Sequence, residues 1–169
     1  MDAVPRISSA LIAELMCAAG ERSGRAEAPD RVDEKCGLLW GHGCDILRAE
    51  PATNVAGDPF TTFEIDPRAL LAAHRAARSG QGMALLGYYH THPSGDAMPS
   101  VTDAAGAAPD GKFWLIATVD EVLLFRAVAG GALHGRFDRL AFELVVGKQA
   151  SEGVGDMGVR NGRHDGDDV

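Results

Sequence analysis

The feature that most constrains the fold is an apolar run, Ala84 to Tyr89, which leads directly into two histidines, His90 and His92. A short apolar run with aromatic residues, bounded by turn residues, is typical of a buried strand. In an extended chain, residues i and i+2 point to the same face and lie roughly 6–7 Å apart. The run therefore predicts a buried strand that ends with two imidazoles on one face, where both can bind one metal ion.

The residues that follow the histidines predict a turn and then a helix. Two prolines and a glycine in the segment 93–99 interrupt the strand, Ser100 is a suitable N-cap, and Asp103 falls in the first helical turn. Two histidine nitrogens and one carboxylate oxygen, with the fourth position left to water, form the ligand set of a catalytic rather than a structural zinc site. The candidate Zn²⁺ ligands are therefore His90, His92 and Asp103.

Each part of this pattern also has an ordinary structural interpretation. Ser100 and Asp103 fit a capping box, in which two side chains satisfy backbone N–H groups at the start of a helix. Two histidines one residue apart are most often surface or hydrogen-bonded core residues. The metal interpretation is favoured because the strand, the turn and the carboxylate occur together, and because a glutamate, Glu34, stands upstream.

The combined pattern resembles the JAMM metalloprotease motif of the MPN domain family. It reads His-x-His-x10-Asp, with Ser100 three positions before the aspartate, and Glu34 precedes the strand-like segment 35–41 as the family's upstream glutamate does. Further segments that resemble the family are Pro51-Ala52-Thr53-Asn54 and Phe63-Glu64-Ile65-Asp66-Pro67. The chain is most similar to the small prokaryotic JAB-domain peptidases, and the resemblance extends over roughly residues 5–146.

The resemblance implies a role for each matching residue. Glu34 is the expected general base, which takes a proton from the attacking water and returns it to the leaving amine. Ser100 is expected to help hold the tetrahedral oxyanion. His90, His92 and Asp103 match the family's metal ligands. The chain is thus expected to be a JAMM-type zinc metallopeptidase, a hydrolase.

Apolar periodicity and turn residues predict an α/β domain. Helices are predicted over 10–20, over 67–79 after the cap Asp66, and after Ser100. Strands are predicted over 36–40, 44–49, 61–65, 84–89, 113–119, 122–128, 134–137 and 140–146, with a hairpin turn at 41–43. This order is typical of a mixed β-sheet flanked by helices, and it agrees with the MPN/JAMM-like single domain that the resemblance implies.

The predicted domain covers residues 1–146. From Gly147 onward the chain is rich in glycine and charged residues and contains no Phe, Tyr or Trp. Such a segment cannot bury enough apolar area to offset the entropy lost on ordering. Residues 147–169 are therefore predicted to be a disordered tail.

Charge and cysteine content narrow the choice of partner and compartment. The net charge is −8, which argues against nucleic acid as main partner, because phosphate binding needs concentrated cations. No apolar run approaches the length needed to cross a bilayer, so no membrane partner is expected. The three cysteines, Cys17, Cys36 and Cys44, are an odd number without framework spacing, which predicts a reducing compartment, the cytoplasm.

Three functions are compatible with the resemblance. The first is a zinc metallopeptidase or isopeptidase that hydrolyses an amide bond after the Gly-Gly C-terminal tail of a ubiquitin-like or sulfur-carrier protein. The alternative is a catalytically silent MPN-type scaffold, although such members typically lack a motif residue and all five are present here. The segment from His90 to Asp96 also resembles a bacterial family once linked to DNA repair. That family usually carries an extra N-terminal helical module, for which this chain has no room.

Cys36 raises a further alternative, because a cysteine close to acidic and histidine residues can be a catalytic nucleophile. On an alternating strand, however, it is expected to point into the core as a small apolar residue. The sequence therefore favours metal-assisted hydrolysis over cysteine catalysis.

Overall fold

The computed structural model describes residues 3–80, 82–93 and 95–146. The predicted tail, 147–169, lies outside the described residues. In chain order the described elements are β1 (Arg6–Ser8), α1 (Ser9–Gly20), β2 (Cys36–His42), β3 (Asp45–Ala52), α2 (Pro67–Arg78), β4 (Ala84–Thr91), α3 (Val101–Gly106), β5 (Phe113–Ala117), β6 (Val122–Gly131), β7 (Gly135–Leu140) and β8 (Glu143–Val145).

The strands form a single mixed sheet in the order β7-β6-β5-β4-β2-β3-β1-β8. Strand β4 lies in its interior, antiparallel to β2 with Cys36 opposite His90, and parallel to β5 with His90 opposite Ile116. A strand covered on both faces has a nearly continuous apolar sequence, which explains the apolar residues of the segment 84–89. Gly87 allows close pairing here, because a Cβ at this position would collide with the backbone of Phe113.

The helices cover both faces of the sheet. Helix α1 packs on one face, where Leu11 and Leu15 join a core that contains Tyr89 and Leu115. Helices α2 and α3 cover the other face, with cores built from alternate strand residues such as Trp114, Ile116, Leu38 and Trp40. Because side chains alternate along β4, His90 points to the face of α2 and α3. The predicted α/β fold with a mixed sheet flanked by helices is confirmed.

Side-chain caps begin both of the longer helices. The Ser8 side chain accepts a hydrogen bond from the Leu11 N–H at 3.1 Å and begins α1. The Asp66 side chain accepts from the Arg68 N–H at 2.8 Å, and Pro67 is the first residue of α2. Among the described residues, no helix is both long and apolar enough to cross a bilayer.

The predicted strand over 61–65 is wrong. Asp58 organises the start of this segment as a turn: its backbone carbonyl accepts hydrogen bonds from the Thr61 and Thr62 N–H groups, and its carboxylate accepts from the Thr61 hydroxyl. Only one bridge, between Asn54 and Ile65, has strand character. Local hydrogen bonding to Asp58 thus outweighs the β-propensity of the threonines and isoleucine.

Several strand boundaries also differ from the prediction. The β2–β3 hairpin turns at Gly43, with φ 60°, instead of at 41–43, because β2 continues to His42. The segment 140–146 is divided between the end of β7 and the separate strand β8. Strand β1 was not predicted; it has three residues and is held between β3 and β8. These short elements depend on distant pairing partners.

Candidate metal centre

The structure brings together the three predicted metal ligands. His90 lies near the end of β4, His92 just beyond it, and Asp103 in the first turn of α3. The two histidine Nε2 atoms are 3.1 Å apart. Asp103 Oδ1 lies 3.4 Å from His90 Nε2, and its Oδ2 lies 3.7 Å from His92 Nε2. Three potential ligand atoms therefore converge on one point, all within 4.8 Å of one another.

The donor set and its spacing fit Zn²⁺. Tetrahedral zinc holds nitrogen and oxygen ligands at about 2.0–2.2 Å, which sets neighbouring ligand atoms roughly 3.3–3.5 Å apart. The two histidine nitrogens are 3.1 Å apart, and they lie 3.4 and 3.7 Å from one or the other of the two Asp103 carboxylate oxygens, which is close to this range. Three protein ligands with a fourth position free is the arrangement of a catalytic zinc site.

His92 is oriented by its outer ring nitrogen. Its Nδ1 lies 2.8 Å from the carbonyl oxygen of Asp96, which can only accept, so Nδ1 carries the proton. The lone pair is consequently at Nε2, facing His90 and Asp103. Its backbone N–H donates to the carbonyl of Ala117 on β5 at 2.8 Å. Such outer hydrogen bonds fix the tautomer and ring orientation of a metal-binding histidine.

His90 is fully buried between aromatic rings. Phe63 is stacked on it with ring centroids 4.3 Å apart, and Trp114 meets its edge at 6.0 Å. Burial lowers the pKa of His90 and outweighs the opposing effect of Asp103. The imidazole is therefore held neutral, which is the form that binds metal. Sequence reasoning gave no role to Phe63, although its segment was among those that resemble the family.

Asp103 takes part in the helix cap and also supplies the third candidate metal ligand. The backbone N–H and the hydroxyl of Ser100 donate to its Oδ2 at 2.6 and 2.7 Å, and the Asp103 N–H donates to Ser100 Oγ at 3.0 Å. Burial alone would raise the pKa of Asp103, but hydrogen bonds with His90, His92 and Ser100 hold it well below its usual range. The capping box and the metal interpretation are thus compatible, because Oδ1 remains directed at His90.

Glu34 is buried beside these three residues, just before β2. Its neighbour Lys35 donates a hydrogen bond to the Thr91 hydroxyl and accepts one from the Thr91 N–H, both at 2.9 Å. Thr91 lies between the two histidines, so this pairing holds Glu34 next to them. Burial raises the pKa of Glu34 to about 7; nearby His92 lowers it, and Asp103 raises it further. A carboxyl group that titrates near neutrality is suited to both accepting and donating a proton.

Cys36 is not part of this chemistry. It is buried in the core, and burial raises the pKa of its thiol to about 12. A thiol of this kind is not a nucleophile at neutral pH, which confirms that it packs as a core residue.

The hairpin between β6 and β7 contacts the helix that carries Ser100 and Asp103. The Nε2 of His134 lies 3.0 Å from the carbonyl oxygen of Pro99, and Arg136 Nε lies 3.4 Å from that of Ala104. His134 has φ 53°, an uncommon conformation for a residue other than glycine. These contacts hold α3 at both ends, and no sequence signal indicated them.

A cavity of about 500 Å³ opens beside the site, between α2 and α3. Its apolar wall contains Phe63, Tyr88, Leu70 and Trp114, and Asp103 lies on the side nearest the histidines. The site is therefore accessible from a groove on the face of the sheet that α2 and α3 cover.

Two known proteins are similar to this chain in sequence. A desampylase from Haloferax volcanii is 36% identical over 95 residues, which cover 55% of this chain and 68% of that protein. A probable TtuB-protein conjugate cleaving protease from Thermus thermophilus is 42% identical over 65 residues, which cover 38% of this chain and 43% of that protein.

Solved structures of other proteins are similar in fold, as two of them show by their coverage and TM-score. The first, a solution structure of a protein from Desulfitobacterium hafniense, has a TM-score of 0.65 and 24% identity, with 86% of this chain and 95% of that chain covered. The second, from Salinibacter ruber, has a TM-score of 0.51 and 21% identity over 83% of this chain and 91% of that chain.

A family model described as prokaryotic homologs of the JAB domain matches residues 20–128, well over half of the chain. This range contains Glu34, His90, His92, Ser100 and Asp103. The chain therefore belongs to the family of prokaryotic homologs of the JAB domain.

Proposed function

We propose that this protein is a zinc metallopeptidase that hydrolyses the amide or isopeptide bond after the Gly-Gly tail of a ubiquitin-like or sulfur-carrier protein. The observation that carries the proposal is the convergence of His90, His92 and Asp103 within 4.8 Å, with the buried carboxyl group of Glu34 beside them. The names of two relatives support it, since one is a desampylase and the other is a probable protease for TtuB-protein conjugates.

In this proposal the metal is held by His90 Nε2, His92 Nε2 and the Asp103 carboxylate. When bound, zinc supplies Lewis acidity that polarises the scissile carbonyl and lowers the pKa of water towards about 7. The bond from Nδ1 to Asp96 keeps the Nε2 lone pair of His92 directed inward, and burial keeps His90 neutral, so little reorganisation accompanies binding.

Glu34 acts as the proton carrier. As a carboxylate it accepts a proton from the attacking water while the water oxygen forms a bond to the scissile carbonyl carbon. It then donates that proton to the amide nitrogen as the C–N bond breaks, which yields a carboxylic acid on the carrier and a free amine. The acid then loses its remaining proton to the amine, so the products are a carboxylate and an ammonium group. In the metal-free protein, burial raises its pKa to about 7, so both protonation states are accessible near neutral pH.

Ser100 has a proposed role at the oxyanion that forms on the scissile carbonyl. Its hydroxyl donates to Asp103 Oδ2, and its backbone N–H donates to the same oxygen. The bonds from the Ser100 N–H to Asp103 Oδ2 and from the Asp103 N–H to Ser100 Oγ keep the cap in place, so the hydroxyl hydrogen is able to turn towards the developing negative charge without unfolding α3.

The segment 62–66 offers an edge for an extended tail. The Glu64 carbonyl accepts from the Val55 N–H, and the Asp66 N–H donates to Thr53, so these backbone groups point away from the site. Backbone groups alternate in direction along an extended segment, so those of Phe63 and Ile65 point to the opposite side. Strand β4 has no free edge, because β2 and β5 pair with it on either side. The segment 62–66 is therefore the proposed site of β-augmentation by a Gly-Gly tail.

The alternative, a silent MPN-type scaffold, is disfavoured because all five motif residues are present and four of them surround one point. Mass spectrometry separates the two functions: carriers fused through Gly-Gly to a short peptide are incubated with the zinc-loaded protein. Release of the carrier ending in Gly-Gly supports the peptidase. Intact fusions, with zinc bound at one equivalent, contradict it.

We also propose a single catalytic domain over residues 1–146, with residues 147–169 as an appended tail. The cytoplasm is the proposed compartment, on the basis of the odd number of cysteines without framework spacing. The net charge of −8 supports a protein rather than a nucleic-acid partner, and no membrane partner is proposed. Fractionation of cells that express the tagged full chain tests the compartment, and recovery with the membrane fraction would contradict it.

A further inference from the structure

Asn54 makes four hydrogen bonds with its side-chain amide. Its Nδ2 donates to the carbonyl of Glu34 at 2.9 Å and to that of Thr62 at 3.0 Å. Its Oδ1 accepts from the N–H groups of Ala56 and Glu64, both at 3.0 Å. An amide offers two N–H donors and two acceptor lone pairs, so the full capacity of this side chain is used.

These bonds connect two parts of the site that are distant in sequence. One bond goes to the backbone of Glu34, and two go to Thr62 and Glu64, the residues on either side of Phe63. The Phe63 ring is stacked on His90. A single side chain therefore links the backbone of Glu34 to the ring that packs against His90.

The same loop holds Glu34 by a second bond. The Glu34 N–H donates to the carbonyl of Pro59 at 2.8 Å, while the Glu34 carbonyl accepts from Asn54. Both backbone polar groups of this residue are thus bound by the segment 54–59. The direction in which the Glu34 carboxyl group leaves the backbone depends on these two bonds.

We propose that Asn54 is a positioning residue, which sets the place of the Glu34 carboxyl group relative to His90, His92 and Asp103. This inference rests on the proposed function, in which Glu34 carries the proton. A catalytic group displaced by about 1 Å loses on the order of 10²-fold in rate. Asn54 acts through the backbone of Glu34 and touches neither the ligand atoms nor the groove.

The amide is required because both of its functions are used. Aspartate has nearly the same shape and keeps an acceptor for Ala56 and Glu64, but it cannot donate to the carbonyls of Glu34 and Thr62. Its carboxylate would instead face two carbonyl oxygens, which is repulsive. Asn54→Asp therefore removes the two bonds to the carbonyls of Glu34 and Thr62, whereas Asn54→Ala removes all four bonds.

The test compares Asn54→Asp and Asn54→Ala with the wild-type protein on a Gly-Gly fusion. We expect kcat to fall about 10–100-fold, with KM within twofold and one zinc retained per chain. Hydrogen exchange measured by NMR reports how firmly Asn54 holds these segments, and it does not depend on enzyme activity. The Glu34 amide should exchange faster in both variants, and the Glu64 amide mainly in Asn54→Ala.

The matched control is Leu15→Ala, which creates a cavity under α1 on the opposite face of the sheet. It should lower Tm at least as much as Asn54→Asp while leaving kcat unchanged at a temperature where both proteins are folded. A second control adds Asn54→Asp to Glu34→Gln. No further loss of kcat is expected in this double variant, because the effects of substitutions at residues that act through one another are not additive.

Three results would overturn the proposal. They are unchanged exchange of the Glu34 amide in both variants, a kcat within twofold of wild type despite faster exchange, and an equal loss of kcat in Leu15→Ala. If Asn54→Ala does not fold, Asn54→Asp supplies the same comparison. A wild-type protein that cleaves no Gly-Gly fusion would contradict the proposed function, while the exchange data still decide whether Asn54 holds Glu34.

Discussion

The ring of Phe63 lies nearly parallel to that of His90, at an angle of 19° and with a centroid distance of 4.3 Å. Phe63 belongs to the irregular segment between β3 and α2, whereas His90 belongs to the interior strand β4. The contact keeps solvent from one face of the imidazole and limits its rotation. A ligand whose orientation is set before the metal binds loses less entropy on binding.

Removal of this ring should weaken metal binding without loss of a ligand. We expect Phe63→Ala to reduce zinc affinity by about 10–100-fold, as for other residues that orient metal ligands. Competition with a chromophoric chelator measures the change. Phe60→Ala is the control, since Phe60 packs against Arg31 and not against His90. Equal loss of affinity in both variants would assign the effect to general loosening of the loop.

Loss of one histidine ligand should remove most of the zinc. Two protein ligands rarely retain zinc against a chelator, so His92→Ala is expected to contain much less than one equivalent after dialysis. Metal analysis of the purified protein provides the measurement, with His42→Ala as control, because His42 is exposed at the end of β2. Full zinc content in His92→Ala would show that this residue is not a ligand.

Replacement of the proposed proton carrier should abolish hydrolysis but not metal binding. Glutamine keeps the shape of the side chain and cannot carry the proton, so Glu34→Gln should lose about 10²–10⁴ in kcat with zinc retained. Activity within a few-fold of wild type would show that another residue is the base.

The pKa of Glu34 also predicts a pH dependence of stability in the metal-free protein. Its value rises from 4.5 to about 7 on folding, so between these values the folded state binds a proton that the unfolded state has released. The free energy of unfolding should therefore fall as pH rises from about 4.5 to 7, and Glu34→Gln should remove this contribution. Denaturant unfolding at pH 5 and pH 8 tests the sign. A wild-type protein whose stability relative to Glu34→Gln rises with pH would contradict it.

Deletion of the predicted tail should change neither stability nor activity. A chain that ends at Gly147 lacks only residues with little apolar content, which contribute little to a core. Thermal unfolding and hydrolysis of a Gly-Gly fusion compare it with the full chain. A clear fall in Tm would show that residues 148–169 dock on the domain.

The substrate should require glycine at the cleaved bond. The carbonyl must approach between the Phe63 segment and α3, where a side chain on the last residue would hold it away from the site. Cleavage of a carrier ending in Gly-Ala should therefore be much slower than that of Gly-Gly, and polyubiquitin should be cut poorly or not at all. Comparable turnover of Gly-Gly and Ala-Ala fusions would refute a narrow groove.

The local sequence determined the elements that carry dense signals. Strand β4 followed from an apolar run that is long enough to be buried on both faces, and α2 followed from Asp66 and Pro67 at its start. The His-x-His-x10-Asp spacing, together with the upstream Glu34, predicted that His90, His92 and Asp103 meet, because a strand end, a turn and a helix start bring these positions together.

Only the tertiary structure decided which residues support the site. The roles of Asn54 and Phe63 depend on hydrogen bonds and ring contacts with Glu34 and His90, which are 20 and 27 positions away in the chain. Strand β1 pairs with β8 across more than a hundred residues, and three residues are too few to show a period. Local propensity describes the conformation of a segment, whereas these contacts arise only when the chain is closed into one packed sheet with its helices.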